Sequence, residues 1–301
     1  MATIQRVAIF GASGHFGVPI TDALVTAGFD VTIITRAESS STFPDGIPVI
    51  RTSYTIGKLT EALRGQDAAV CVVGIPGIPH HKAMIDAAEA AGVKRFILNE
   101  FDWGPDFQGL PEFNDISAGR AEGRNHAAAL AEANHNFTYT GIAIGNPIDW
   151  ALRAFPFMGF NIPERSAVIF DAGTEQFTAT TLQGIGQAVV GVLRKPAETA
   201  NRRVKVRSLK VCQNEILEAF EKATGNAWDV KRGSTKDLLV SGRRKKGEGD
   251  GSWVMDLVVA QLYEEGVGRS IVAASREESD ADLLGVEEET VDGVVGKALK
   301  G

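Results

Sequence analysis

The sequence predicts an α/β protein, a doubly wound parallel sheet with a smaller α+β domain after it. Three observations carry that expectation. Short apolar runs alternate with amphipathic stretches through the first half, the first run breaks straight into a glycine-rich turn, and the alternation loosens after Asn146. Strand one is Arg6-Val7-Ala8-Ile9-Phe10, continuously apolar in the way of a parallel strand covered on both faces. Gly11-Ala12-Ser13-Gly14-His15-Phe16-Gly17 forms the turn, residues 18–27 an amphipathic helix stopped by Gly28, and residues 30–35 strand two. Strand three is expected at 47–50, a helix at 56–64 and strand four at 68–73. Residues 74–79 read as a loop, 80–91 as a helix ended by Gly92, and 95–100 as strand five. A long loop carrying Phe101, Asp102, Trp103 and Gly104 leads to a helix at 118–133 and strand six at 137–144. Ligands of such sheets bind beyond the carboxyl ends of the strands. The loops beginning at Gly11, Arg36, Gly74 and Asn99 are therefore expected to line one crevice.

The second half is shorter-grained, with strands at 167–170 and 204–206 and helices at 182–193 and 213–223. Residues 1–150 are expected to form the sheet domain and 151–301 the smaller one, with a strand near 204–211 returning to the first sheet. The charged, glycine-rich stretch 243–251 reads as a solvated loop. Glu287-Glu288-Glu289 reads as a helix's first turn or an exposed face.

The formal charge of −7 disfavours nucleic-acid binding, which asks for a basic face. An anionic ligand must then be held by local features. Of two cysteines, Cys71 lies in an apolar run and reads as a buried small hydrophobe; neither a disulfide framework nor metal-ligand spacing is present. Strand one begins at once, without a basic and apolar leader, and no run approaches membrane-spanning length. A cytoplasmic, reduced setting is expected.

The glycine turn carries the first chemistry. Its spacing is G-x-x-G-x-x-G, whereas the common dinucleotide fingerprint is G-x-G-x-x-G, yet strand, turn, helix and second strand stand in the required order. Glycines bring backbone close to a pyrophosphate, and the helix offers unpaired N–H groups and a positive dipole end. Gly11, Ser13, Gly14, His15, Phe16 and Gly17 are the expected cofactor contacts, with Gly74, Ile75, Pro76 and Asn99 along the same crevice. Sites for NAD place an acid at the end of strand two; here Arg36 stands there, with Glu38 two residues on. An arginine fork pairs with a 2′-phosphate, so NADPH/NADP+ is expected over NAD, although Arg36 also reads as a solvent-facing residue.

Together with that turn and arginine, Asn99-Glu100-Phe101, Asn146-Pro147-Ile148-Asp149-Trp150 and Gln213-Asn214-Glu215-Ile216 resemble the NmrA-like family. More narrowly, the chain resembles the fungal isoflavone-reductase-like branch of the atypical short-chain dehydrogenases, over nearly its whole length. The resemblance implies an NADPH-binding Rossmann domain, a smaller substrate domain and, in many members, reduction of aromatic or polyketide-like secondary metabolites. Other members only sense NADP(H) and regulate a partner. The family's reductases carry a lysine in the helix after strand five. Here Arg120 occupies that region, and no lysine occurs between Lys94 and Lys195. A lysine can surrender a proton, whereas arginine stays charged and only donates hydrogen bonds or polarises.

Rival constellations are weaker. Tyr54 and Lys58 have the tyrosine-x-x-x-lysine spacing of ordinary short-chain dehydrogenases but follow strand three, too early for it. Tyr139 has no lysine four residues on, and His126, six past Arg120, faces about 240° away on a helix. His80 and His81 read as exposed capping residues, and His15 as a phosphate neighbour. Phe101, Trp103, Trp150 and Phe157 follow strands five and six and are candidates for an aromatic pocket, with Asn146. Asp149 reads as a helix-start cap or a polar contact in that pocket. The leading expectation is an NADPH-dependent reductase of a small aromatic or polyketide-like substrate, monomer or homodimer, with Arg120 orienting cofactor or acceptor. A cofactor-sensing regulator, or an isomerase, cyclase or dehydratase keeping the cofactor as scaffold, is the alternative.

Overall fold

A computed structural model describes residues 3–104 and 109–300. In chain order the first half gives β1 (Arg6–Phe10), α1 (Gly17–Thr26), β2 (Asp30–Arg36), β3 (Val49–Thr52), α2 (Ile56–Leu63) and β4 (Ala68–Cys71). It continues with α3 (His81–Ala90), β5 (Arg95–Asp102), α4 (Asn114–Ala133), β6 (Thr138–Ala143) and α5 (Ile148–Ala151). The second half adds β7 (Phe160–Asn161), β8 (Ser166–Phe170), β9 (Phe177–Ala179), α6 (Leu182–Arg194), β10 (Arg202–Lys205) and β11 (Leu209–Val211). Then come α7 (Gln213–Thr224), β12 (Asp229–Gly233), α8 (Thr235–Gly247), α9 (Trp253–Tyr263), α10 (Ala281–Leu284) and α11 (Val291–Lys300).

Seven parallel strands form the main sheet in the order β10-β6-β5-β4-β1-β2-β3. The order reverses between β4 and β1, which opens a crevice above the carboxyl end of β1. Apolar side chains bury both faces: Val7, Ile9, Val70 and Ile97 on one, Phe10, Cys71, Phe96 and Leu98 on the other. Each such side chain contributes about 1.5–3 kcal/mol by leaving water. β10 pairs in parallel with β6, Val204 beside Ile142, so the second half completes the sheet begun in the first. α6 and α10 pack into the same core through Ile185, Val189 and Leu284.

A second core gathers the remainder around Phe160, Phe177, Phe220 and Tyr263, under a small sheet ordered β12-β8-β7 and the β9/β11 pair. Among the described residues no helix is long and apolar enough to cross a membrane.

Several elements differ from the sequence expectation. β3 starts at Val49, two residues late, because Pro48 has no N–H for the ladder and supplies only its carbonyl, to Ile33 N at 2.8 Å. Residues 75–80 form a 3-10 helix in place of the open loop. Residues 243–247, expected as loop, are the last turns of α8. Arginine and lysine are good helix formers and are favoured beside a helix's negative end.

Candidate active site

β1 delivers Gly11 at the point where strand order reverses. Gly11 sits at φ +84°, and a Cβ there would lie 2.4 Å from the Val72 carbonyl oxygen. At Gly17 a Cβ would lie 2.0 Å from the Gly11 carbonyl oxygen. Both positions require glycine for the chain to turn this tightly into α1. The result is a bare backbone cradle under a cavity of about 250 Å³ walled by Gly11, Ser13, Gly14, Arg36, Tyr54 and Pro76. The donors of an α-helix's first turn lack partners within the helix and face an anion favourably. Arg36 closes the far end. Its Nε lies 3.6 Å from Glu38 Oε1 with both side chains more than half exposed, a pair worth under about 1 kcal/mol that a phosphate can displace.

Gly14, Val72, Val73 and Gly74 also border a second cavity of about 560 Å³. Its walls are aromatic: Phe16, Phe101, Trp103, Trp150 and Phe157. The Trp150 ring lies 5.0 Å from the His15 ring and 5.6 Å from Phe157, centroid to centroid. Ile75, Asn99 and Asn146 also line it, and the Asn146 Oδ1 is buried without a partner among the described residues.

Asn99 is placed by a local irregularity. The β5/β6 register shifts between Ile97 and Phe101, and the Asn99 N–H, released from the ladder, donates to His81 Nε2 at 3.2 Å. His81 is therefore no exposed cap. It is 1% exposed, and burial, with the Arg120 charge second, lowers its pKa to about 4. His80 does remain on the surface, beside Tyr54 on the wall of the first cavity.

A third chamber of about 480 Å³ lies behind Trp103 and shares Ile75, Asp102, Trp103, Arg120 and Val258 with the aromatic cavity. Here β5 contributes Glu100 and Asp102, α4 contributes Arg120 and Arg124, and β10 contributes Arg203. Glu100 is wholly buried, bonds Arg124, and has Arg203 Nε 3.3 Å from its other oxygen. Burial pushes its carboxyl up, opposed by those two cations. Arg120 stands at the opening between the chambers with its Nε buried and, among the described residues, unpartnered.

Other expected positions fall elsewhere. Asp149 lies off the lining: its Oδ1 accepts from Leu182 N at 2.9 Å and Trp150 N at 3.1 Å. It thus serves both its own helix and the start of α6, 33 residues on, where Thr181 is the N-cap. Tyr54 belongs to the Arg36 end of the crevice, where burial raises its pKa to about 12, and Lys58 pairs with Glu61 on the surface at 2.9 Å. His126 pairs with Asp86, away from Arg120. The residues sequence reading missed are Glu100, Arg124, Arg203 and Val258. A signal existed for two of them: Arg120 and Arg124 are four apart on one helix face, and Glu100 is a lone acid in an apolar strand, which must find a partner.

A parallel sheet whose strand order reverses above a glycine cradle defines a dinucleotide-binding Rossmann protein. The sequence profile of the NmrA-like family matches residues 3–241, and the chain belongs to that family. Oxidoreductase poxI of Penicillium oxalicum is 60% identical over 289 residues, 96% of this chain and 92% of that protein. A leucoanthocyanidin reductase of Vitis vinifera, solved with NADPH, matches with a TM-score of 0.78 at 18% identity, over 98% of this chain and 100% of that one. A crystal structure of isoflavone reductase matches with a TM-score of 0.75 at 19% identity, over 98% and 99%. The chain is an oxidoreductase of isoflavone-reductase-like fold.

Proposed function

We propose that the chain is an NADPH-dependent reductase of a small, flat, aromatic or polyketide-like molecule. The observation behind this is the shared wall: Gly14, Val72, Val73 and Gly74 border both the glycine cavity and the aromatic one, so the groove suited to a pyrophosphate and the chamber suited to a flat substrate are one crevice. The backbone from Gly11 to Gly17 and the start of α1 hold the pyrophosphate. Arg36 exchanges its exposed partner Glu38 for the 2′-phosphate, and Gly74, Ile75, Pro76 and Asn99 border the path toward the substrate. Bound there, NADPH supplies a hydride. Phe101, Trp103, Trp150 and Phe157 hold the flat body and exclude water. Arg120 donates hydrogen bonds to a substrate oxygen and orients the substrate. An arginine does not release the proton, which comes from water or the substrate itself. In this reading residues 1–150 with α6 and β10 form the cofactor part, and the rest the substrate part. The setting is the cytoplasm, with the protein a monomer or homodimer.

Incubation with NADPH deuterated at C4 and a panel of aromatic ketones, enones and benzylic ethers tests it: label in product supports the reductase, and no label across the panel despite micromolar NADPH binding supports a sensor. Arg36→Ala should raise the NADPH Kd about ten- to a hundredfold, the loss of one charge-assisted contact, and leave NADH within about threefold. Equal effects on both would reject Arg36 as the selector.

A further inference from the structure

The chamber behind Trp103 carries a charge imbalance that identifies what enters it. Among the described residues three guanidiniums line it, Arg120, Arg124 and Arg203, against two carboxylates, Glu100 and Asp102. Both carboxylates are engaged. Glu100 pairs with Arg124 and Arg203, while Asp102 pairs with Arg203 and accepts the Gly104 N–H at 2.9 Å. Arg120 is left over. Among the described residues no carboxylate lies within ion-pair distance of it, and its Nε is buried without a hydrogen-bond partner. His81, whose pKa is lowered partly by Arg120, brings no countercharge. Nor does Arg120 border the glycine cavity, so the cofactor's phosphates are served by other groups.

We infer that the substrate bears a carboxylate, which docks on Arg120 at the mouth of this chamber while the flat body lies among Trp103, Trp150 and Phe157. The inference rests on the reductase reading, since it names the substrate class of the same site. Chemistry favours a carboxylate over other oxygens. A guanidinium fork matches its two oxygens bidentately, and a cation without a counter-ion attracts an anion more strongly than a neutral carbonyl. A neutral ester would leave Arg120 without a counter-ion, which is the stronger source of selectivity. With Arg120 holding the acid, the carbon to be reduced belongs to a second functional group on the body, over the wall shared with the glycine cavity.

The test uses the full chain saturated with NADP+, reading tryptophan fluorescence, to which Trp103 and Trp150 report from the cavity wall. The probes are 2-naphthoate and trans-cinnamate, each against its methyl ester. Each acid should bind about ten- to a hundredfold tighter than its ester, the worth of one charge-assisted contact. Arg120→Met should abolish that ratio, and Arg120→Lys should keep part of it, with the NADPH Kd of both within about twofold of the parent. Acid and ester binding alike, or neither binding, overturns the proposal. So does an Arg120→Met chain that retains the ratio but loses NADPH affinity, which would make Arg120 a cofactor contact. Deuterium transfer separates the two readings. Label passing to neutral substrates without acid preference leaves the reductase standing and removes the carboxylate, whereas acid preference without label does the reverse.

Discussion

The two ends of the main sheet both hold buried polar groups and treat the charged ones oppositely. At the amino ends of the strands, Arg95 is 1% exposed and donates to Thr138 and Thr140 hydroxyls at 2.9 and 3.1 Å, Thr199 at 2.8 Å and the Pro196 carbonyl at 2.6 Å. Asp67 there takes the N–H groups of Gln5 and Arg6 at 3.2 and 3.0 Å and the Lys94 ammonium at 3.1 Å. At the carboxyl ends, Arg120 Nε, His81 Nδ1 and Asn146 Oδ1 are buried without partners among the described residues. An unsatisfied buried group costs about 1–3 kcal/mol. At the amino rim the neutral Gln66 Oε1 is likewise unpartnered, but the charged Arg95 and Asp67 are saturated; three such groups gathered on the carboxyl rim, one of them on a cation, mark the rim where a ligand completes the bonding.

Arg95→Ala should break the amino end hardest. It leaves a cavity and an orphaned Pro196 carbonyl and loses about 3–5 kcal/mol, read as the shift of a denaturant midpoint. The NADPH Kd of the folded variant should stay within about twofold. A tenfold loss of cofactor affinity would mean the two ends are coupled and the comparison is wrong.

Asp67→Asn should cost less, about 1–2 kcal/mol at neutral pH. Burial pushes the Asp67 carboxyl up, but the Arg6 N–H, the Lys94 and Arg6 side chains and the Gln5 N–H together hold it well below its ordinary 3.8. A depressed folded pKa contributes stability that is complete above the unfolded value and is lost as pH falls through the folded one. The gap between parent and variant should therefore be constant above about pH 4 and narrow below it. A gap that widens on acidification would contradict the assignment.

How much of this was legible in the sequence follows from how local each feature is. The cradle from Gly11 to Gly17, Arg36 and the aromatic residues after β5 and β6 were readable because strand, turn and helix succeed one another within a few residues, and strand ends face the crevice by topology. The third chamber was not readable. Arg203 reaches Glu100 only because β10 returns beside β6, from 103 residues further along the chain. Asp149 was legible only in part, because one of its two N–H partners, Trp150, is in its own helix while the other, Leu182, is brought up by tertiary packing. His81 misled because a histidine at a helix start has two readings, and the β5 irregularity that takes it inside leaves no trace in the local pattern.

His81→Gln sharpens the comparison most finely, since it changes a single unsaturated group on the ligand rim. A glutamine oxygen can accept the Asn99 N–H in place of Nε2, so at pH 7 the loss should be below about 1 kcal/mol and the NADPH Kd should move about threefold or less. The pH dependence is the diagnostic reading. With a folded pKa of about 4 against an ordinary 6.5, the unfolded chain binds a proton in that interval that the folded chain does not. Stability of the parent should therefore fall as pH drops from about 6.5 toward 4 and be flat in this contribution above 6.5, while the variant lacks that slope, so the two curves converge on acidification and then cross, the variant becoming the more stable. Parallel curves across that interval would mean His81 is charged in the folded protein. The Asn99 N–H would then lack its acceptor, and the ligand rim would hold one more cation beside Arg120.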